Sequence, residues 1–405
     1  MAENIEVVVI GGGYAGVMAA NRLTQRDHVT VTLINARPDF VERIRLHQLA
    51  GGTHKAVNDY RKVLGERVRL VVDTVTRIDA TGRRVELASG GTAGYDYLIY
   101  AVGSGSADPG VPGAAEFAHP IASFEEAQRL RSVLDAAPAT APVTVVGAGP
   151  TGIETAAELA EAGRTVTLVC GGPVGPYLHP NGRRSVAKRL AALGVTVLQG
   201  PGTKVTEVTG DTVRLGDGRE LSSEVTIWTA GFGVPDLAAR SGLSTDALGR
   251  LLTDETLTSV DDERIVAAGD SAAPSGLPLR MSCQAAMPLG ARAADTVLSR
   301  IDGERPATLN HLFAGQCISL GRRAGIFQFA HRNDVALWFH IAGRSGAKIK
   351  EFVCKGTVKQ LADEGRKPGA YGLHKVSGGA KRGQALQAER AAAPATADLG
   401  AAAAG

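Results

Sequence analysis

The sequence predicts an α/β fold built on two Rossmann-like dinucleotide-binding units, and three observations carry that prediction. First, a run of β-branched residues, Ile5 to Ile10, stops at a glycine cluster, Gly11-x-Gly13-x-x-Gly16, and an alanine-rich helical stretch follows. Second, the same strand–turn–helix pattern recurs from Val143 to Glu154, with its glycines at Gly147, Gly149 and Gly152. Third, the next strand recurs as well, as Val31-Thr32-Leu33-Ile34 and again as Val166-Thr167-Leu168-Val169. A whole βαβ unit is therefore repeated, and two bound dinucleotides are expected.

Each element of the first unit has a physical reason. Gly11 permits the sharp turn, Gly13 lets a pyrophosphate approach the backbone, and Gly16 lets helix and strand pack closely. The helix start offers N–H groups and a partial positive charge to the phosphates. The second strand ends at Asn35, where such units place an acid on a ribose; the amide keeps the hydrogen bonding without the charge. Arg37 follows and reads two ways, as a contact to adenosine or its phosphates, or as a solvated loop charge. Phe40 to Leu49 has helical spacing, with Arg43, Arg45 and His47 expected on a solvated face.

Strand-like stretches follow at Val68–Val72 and Arg83–Leu87, then a glycine turn, then Tyr97 to Tyr100 running into Ala101-Val102-Gly103. The Pro/Gly-rich segment Asp108 to Gly113 is a candidate boundary. Ser123 with Glu126 three residues on forms a capping box for a helix to Leu134. Beyond the second unit, Glu224 to Gly231 parallels Asp96 to Gly103, and Arg264 to Asp270 is a buried-type strand ending in Gly269-Asp270. A carboxylate there could hold the hydroxyls of a sugar-alcohol chain; a helix cap is the plainer alternative.

Composition narrows the class. The chain has 405 residues, room for two to three domains, and 51 glycines, which suits tight turns around ligands. Aromatics make up 4% and net charge is +3, so a nucleic-acid role is not expected. Cys170, Cys283, Cys317 and Cys354 form no CxxC or CxxxxC, so neither a disulfide framework nor a metal site is expected. A first strand at residue 5 leaves no room for a signal peptide, and no apolar run reaches the roughly 18 residues of a bilayer span. A cytoplasmic protein is expected, with peripheral contact on the cytoplasmic face of the membrane, and a homodimer, left open.

The two glycine turns, Ala101–Gly103, Thr229–Gly231 and Ala268–Asp270 occur in the order of the two-dinucleotide flavoproteins. Over roughly residues 5–300 the chain resembles FAD-dependent pyridine nucleotide oxidoreductases. Gly147 to Glu154 is similar to type II NADH dehydrogenases, and Leu320-Gly321-Arg322-Arg323-Ala324-Gly325 to the related ferroptosis-suppressor quinone reductases. The resemblance implies that Gly11, Gly13, Gly16, Asn35, Gly103 and Asp270 line FAD. It implies that Gly147, Gly149 and Gly152 line NAD(P)H, and Ala15, Arg37, Ala101, Gly231, Gly269 and Ala285 are further cofactor-binding candidates. The fold implied is three-layered, with the NAD(P)H domain (residues 119–252) inserted in the FAD domain (1–118 and 253–310). A C-terminal interface or membrane-facing region (311–375) and a disordered tail (376–405) complete it.

Departures matter as well. Disulfide reductases of this superfamily carry CxxxxC after the first unit, and Phe40 to Leu49 has no cysteine. Val102 replaces the usual Thr of the first ATG turn. Cys170 sits where an NADH-preferring relative has Glu; Arg183 and Arg184 could fold back there, so NADH against NADPH is open. Ser282 to Pro288 keeps Gln284 and one alanine of the AQxAxQ motif that faces flavin and quinone, but Pro288 replaces its second Gln and should kink the helix or shorten its start.

Gln284 and Glu154 are the candidate catalytic residues. If buried beside the flavin, Glu154 would have a raised pKa and relay a proton or position the nicotinamide; a helix-start Glu favoured by the dipole is the alternative. Val335 to Ala342 is apolar and precedes Arg344, Lys348, Lys350, Lys355 and Lys359. This suits a membrane-lying element, a dimer face, or packing on the FAD domain with solvated lysines, and the packing reading is preferred. The function expected is transfer of hydride from NAD(P)H to FAD and of electrons to a quinone-like acceptor. A soluble reductase of a ferredoxin-type protein and a low-turnover NAD(P)H-sensing flavoprotein are the alternatives.

Overall fold

Buried parallel strands read as continuous apolar runs, and two such sheets organise the chain. The computed structural model describes residues 4–375 and 381–392. The first sheet runs, in spatial order, Ile265–Ala267, Tyr97–Tyr100, Ile5–Ile10, Val29–Asn35 and Val68–Val72, all parallel. The second repeats the plan with Ala118–Pro120, Val225–Trp228, Val143–Val146, Val166–Val169 and Thr196–Leu198. The register repeats too: Ile10 pairs with Ile34 and Tyr100, and Val146 with Val169 and Trp228. Each sheet has its own three-stranded antiparallel meander, Val75–Asp79 to Thr92–Gly94 in one and Val205–Val208 to Glu220–Ser222 in the other.

All strands of the second sheet lie in sequence between Tyr97–Tyr100 and Ile265–Ala267 of the first. The chain leaves through Gly105–Ser106 and returns through Phe232–Gly233, and these two crossings pair antiparallel. The capping box is present: Ser123 Oγ accepts from Glu126 N at 3.2 Å, and Glu126 Oε2 accepts from Ser123 N at 2.8 Å. Ser123→Ala is expected to cost about 1 kcal/mol; an unchanged urea midpoint would remove the cap from the stability account.

A third layer follows. Strands Gly315–Ser319, Gly325–Ala330 and Ala336–Ala342 form an antiparallel sheet covered by the helix Gly343–Arg366. That helix also docks on the first unit. Asn21 Nδ2 donates to Leu361 O at 2.9 Å, and Arg22 pairs with Glu364 at 3.0 Å. Helix Cys283–Ile301 crosses helix Tyr14–Leu23 closely enough that a Cβ on Gly290 would lie 2.2 Å from Ala15 O.

Four expectations are corrected. Phe40 to Leu49 is not one helix but a strand (Asp39–Val41), a 3-10 turn (Arg43–Arg45) and a short helix (Leu46–Ala50). Its charged side chains are not solvated: Arg45 and His47 are 3% and 4% exposed, because the segment is wedged between both units. Pro288 neither ends nor shortens its helix, which begins at Cys283, capped by Ser282 Oγ accepting from Ala285 N. Lys350 is buried rather than solvated.

The expectation of a disordered tail is also corrected in part. Lys381–Ala392 is helical, and Arg382 forks onto Glu255 at 2.7 Å while donating to Leu277 O and Pro274 O. Residues 376–380 and 393–405 lie outside the described residues.

Candidate functional site

The first glycine turn is assembled by close backbone approach. A Cβ on Gly11 would lie 2.3 Å from Ala101 O, and one on Gly16 would lie 1.8 Å from Gly11 O. Gly13 differs: a Cβ there meets nothing within 4 Å, and the same holds for Gly103. That open face above the turn is where a pyrophosphate would lie against backbone N–H groups. Ala15 is buried under the crossing helix, its Cβ 3.0 Å from where a Gly269 Cβ would stand.

Asn35 spends its amide on the backbone. Its Oδ1 accepts from Gly12 N and its Nδ2 donates to Arg37 O, both at 2.9 Å, so the side chain shapes the turn. Arg37 is half-exposed, and its guanidinium forks onto Glu125 at 2.5 Å. Asp270 Oδ2 accepts from Ser104 Oγ at 2.7 Å and lies 3.5 Å from Arg43. Arg43 also donates to Ser104 O and Oγ at 2.7 Å, tying the turn after Ala101 to Asp270. Sequence reasoning left Arg43 on a solvated face; no local signal distinguishes it.

The second turn uses the same contacts. A Cβ on Gly152 would lie 2.0 Å from Gly147 O, one on Gly147 2.3 Å from Thr229 Oγ1, and one on Gly149 again meets nothing within 4 Å. Gly231 faces Ala107 from the returning crossing. Arg183 donates to Leu178 O and Arg184 to Asn181 Oδ1, both at the start of their own helix.

Glu154, on the helix that follows this turn, is buried against the C-terminal layer. Its Oε1 sits 2.8 Å from Lys350 Nζ and accepts from Ser319 N at 2.9 Å; its Oε2 lies 3.6 Å from His47 Nδ1. Burial pushes the carboxyl up, but Lys350, His47 and the Ser319 N–H together hold it below its ordinary value. The raised pKa expected for Glu154 is thus corrected. Lys350 is opposed by burial yet held well above its ordinary value by Glu154. Burial drives His47 down to about 4, against the pull of Glu154, so the imidazole is neutral at pH 7. Its Nε2 is buried without a hydrogen-bond partner. Burial also pushes the Cys283 thiol up to about 12 and Cys354 to about 11, which keeps both neutral.

A second set of charges borders the first. Arg45 bridges Glu42 and Glu351 at 3.0 Å, and Arg322 approaches Glu351 at 3.8 Å. Gln284, in the first turn of helix Cys283–Ile301, has a buried Oε1 without a partner; beside it Ala285 is 2% exposed. A buried amide oxygen left bare fits a ligand that donates to it. Lys350 and His47 are the functional candidates that sequence reasoning missed. Both are separated from Glu154 by long stretches of chain, and only the fold joins them.

Comparison with known proteins agrees with this fold. An NADH dehydrogenase-like protein of Mycobacterium tuberculosis is 33% identical over 324 residues, covering 72% of this chain and 80% of the relative. A type II NADH:quinone oxidoreductase of Staphylococcus haemolyticus is 27% identical, covering 89% and 96%. The sulfide:quinone oxidoreductase of Aquifex aeolicus superposes with a TM-score of 0.75 at 20% identity, over 89% of this chain and 92% of that one. The NDH2 structure from Plasmodium falciparum gives 0.74 at 15% identity, over 92% and 99%. Residues 5–290 match the pyridine nucleotide-disulphide oxidoreductases, which implies use of FAD and NAD(P)H. With two repeated nucleotide units and this match, the chain belongs to the pyridine nucleotide-disulphide oxidoreductase family, as an oxidoreductase of the NADH dehydrogenase type.

Proposed function

We propose that the protein is an FAD-dependent NAD(P)H dehydrogenase that delivers electrons to a quinone-type acceptor. The observation that supports this reading most is the buried Glu154–Lys350 pair with its neutral His47 neighbour. A buried ion pair is weak evidence for stability, and perturbed titratable groups cluster at functional sites. Quinone reduction consumes protons as well as electrons, and this cluster holds one on the buried Lys350 ammonium, kept there by the Glu154 carboxylate.

The flavin, when bound, supplies the two-electron chemistry that links the nucleotide to the acceptor. In this reading the residues present hold it as follows. Gly11, Gly13 and Gly16 seat its pyrophosphate, and Asp270, oriented by Ser104 and Arg43, takes the hydroxyls of its sugar-alcohol chain. Gln284 accepts a hydrogen bond at Oε1. The N-terminus of helix Cys283–Ile301, fixed by Ser282, turns its partial positive charge toward developing negative charge. Gly147, Gly149 and Gly152 seat the pyridine nucleotide. The two crossings, at Gly105–Ser106 and Phe232–Gly233, support an inserted domain that begins and ends earlier in the chain than 119–252.

The quinone acceptor is supported by the names of the relatives and by the proton-holding cluster. Peripheral attachment is part of the same proposal, supported by exposed Trp338, Phe339 and Phe352 with exposed Lys348 and Lys355 on the following helix. No helix among the described residues is long and apolar enough to cross a membrane.

Anaerobic stopped-flow mixing tests the reading. The purified protein is expected to be yellow, to release FAD on denaturation, to bleach with NAD(P)H and to recolour with a short-chain quinone. Reoxidation by a ferredoxin but no quinone would replace the acceptor, and a flavin that stays oxidised with both nucleotides would sink the enzyme reading.

A further inference from the structure

The two units match residue for residue at the strand end where an adenosine ribose is read. Gly11 N donates to Ile34 O at 2.8 Å, and Gly147 N donates to Val169 O at 2.9 Å. The next residue is Asn35 in the first unit and Cys170 in the second, so Cys170 occupies the position that reads the ribose. An acid there would accept from a ribose 2′-hydroxyl and repel a 2′-phosphate. Cys170 does neither, because its half-buried thiol is pushed up to about 12 and stays neutral.

The rim around it is built, and its charge can be counted. Cys170 N donates to Leu198 O (2.9 Å), Gly171 N to Thr203 Oγ1 (3.0 Å), Gly200 N to Gly172 O (3.0 Å) and Val174 N to Gln199 Oε1 (2.9 Å). These bonds lace the loop after Cys170 to the 3-10 turn Pro201–Thr203 and bring Lys204 against Gly171, whose Cβ would lie 3.7 Å from Lys204 Cα. From 170 to 176 and from 199 to 203 no residue is charged, and Lys204 is exposed. Asp217, under Gly202, is already held by Arg219 at 2.7 Å. The rim therefore carries one exposed cation, Lys204, beside the turn.

We infer that the second unit accepts a 2′-phosphorylated nucleotide, NADPH, with Lys204 as the ligand of the 2′-phosphate and Cys170 as the residue that permits it. The inference rests on the reading of this unit as the pyridine nucleotide site, and it departs from the NADH in the relatives' names. Lys204 supplies the charge-assisted bond, and Cys170 withholds the repulsion that an acid would bring. Arg183 and Arg184, engaged elsewhere, are not needed.

Calorimetric titration of the flavin-loaded full chain with 2′-phospho-ADP-ribose and with ADP-ribose tests this without turnover. The phosphorylated ligand is expected to bind about tenfold more tightly, the worth of one hydrogen bond between charged groups, with the advantage shrinking as salt rises. Lys204→Ala should remove the advantage and leave ADP-ribose affinity unchanged; Cys170→Glu should reverse the preference. Equal or tighter binding of ADP-ribose by the parent protein would overturn the inference. So would an advantage that survives in Lys204→Ala. Binding of neither ligand would instead overturn the nucleotide-site reading beneath it.

Discussion

Glu154→Gln is expected to slow NAD(P)H oxidation with a quinone acceptor by at least about a hundredfold and to destabilise the fold by about 3–5 kcal/mol. Both losses have one cause. The substitution leaves the Lys350 ammonium buried without the counter-charge that stabilises it and holds its proton. The two effects can be separated. Glu154→Gln combined with Lys350→Met removes both charges, so denaturant unfolding should recover most of the lost stability while turnover stays low. A double variant that regains turnover would show the pair to be a structural brace alone.

The pH dependence follows from the same cluster. Glu154 is held below its ordinary value, so its contribution is present above the unfolded-state pKa and lost as pH falls through the folded one. Lys350 is held above its ordinary value, so its contribution is present at neutral pH and lost only at strongly alkaline pH. His47 titrates near 4 in the fold against about 6.5 in the unfolded chain. Between those values the unfolded chain binds a proton that the fold refuses. Stability therefore falls as pH drops from about 6.5 to 4, by about 3 kcal/mol from this one group. His47→Gln should flatten that part of the profile; an unchanged slope would mean that another group carries it.

Gly13 and Gly16 share one motif but should fail differently. A Cβ on Gly16 would lie 1.8 Å from Gly11 O, a backbone atom, so Gly16→Ala forces helix and turn apart. It is expected to lower the melting temperature strongly even without flavin. Gly13 has φ −80°, ordinary for any residue, and open space where a Cβ would stand. Gly13→Val should therefore leave the melting temperature of the flavin-free protein within a few degrees and lower flavin content severely. Normal flavin content in Gly13→Val would move the pyrophosphate away from this turn.

The repeat was legible because its signals are local. Strands buried on both faces read as unbroken apolar runs, and a glycine that must pass within touching distance of a carbonyl cannot be anything else. The capping box was legible for the same reason, its two members being three residues apart. Strand Thr196–Leu198 is too short to announce itself. Lys350 and His47 were hidden because a lysine or histidine in a polar-looking segment is normally solvated, and only packing of the C-terminal layer on the second unit buries them. Arg43 was hidden likewise, and Arg37 because its partner Glu125 lies in the capped helix of a later segment. Arg382 was masked by the low-complexity composition around it.

The paired crossings at Gly105–Ser106 and Phe232–Gly233 have a mechanical consequence. Two strands side by side form a hinge with one axis, about which the inserted unit could swing. The helix Gly343–Arg366 is fixed to the first unit through Asn21 and Arg22, and it reaches the inserted unit through Lys350 and Glu154. It is a strut across the hinge. Hinge, strut and the first unit close a triangle, and a triangle has no free angle. The strut is expected to hold the two glycine turns at one separation, so that nucleotide and acceptor exchange by movement of side chains and loops; a distance between labels on the two units that changes on nucleotide binding would break the triangle.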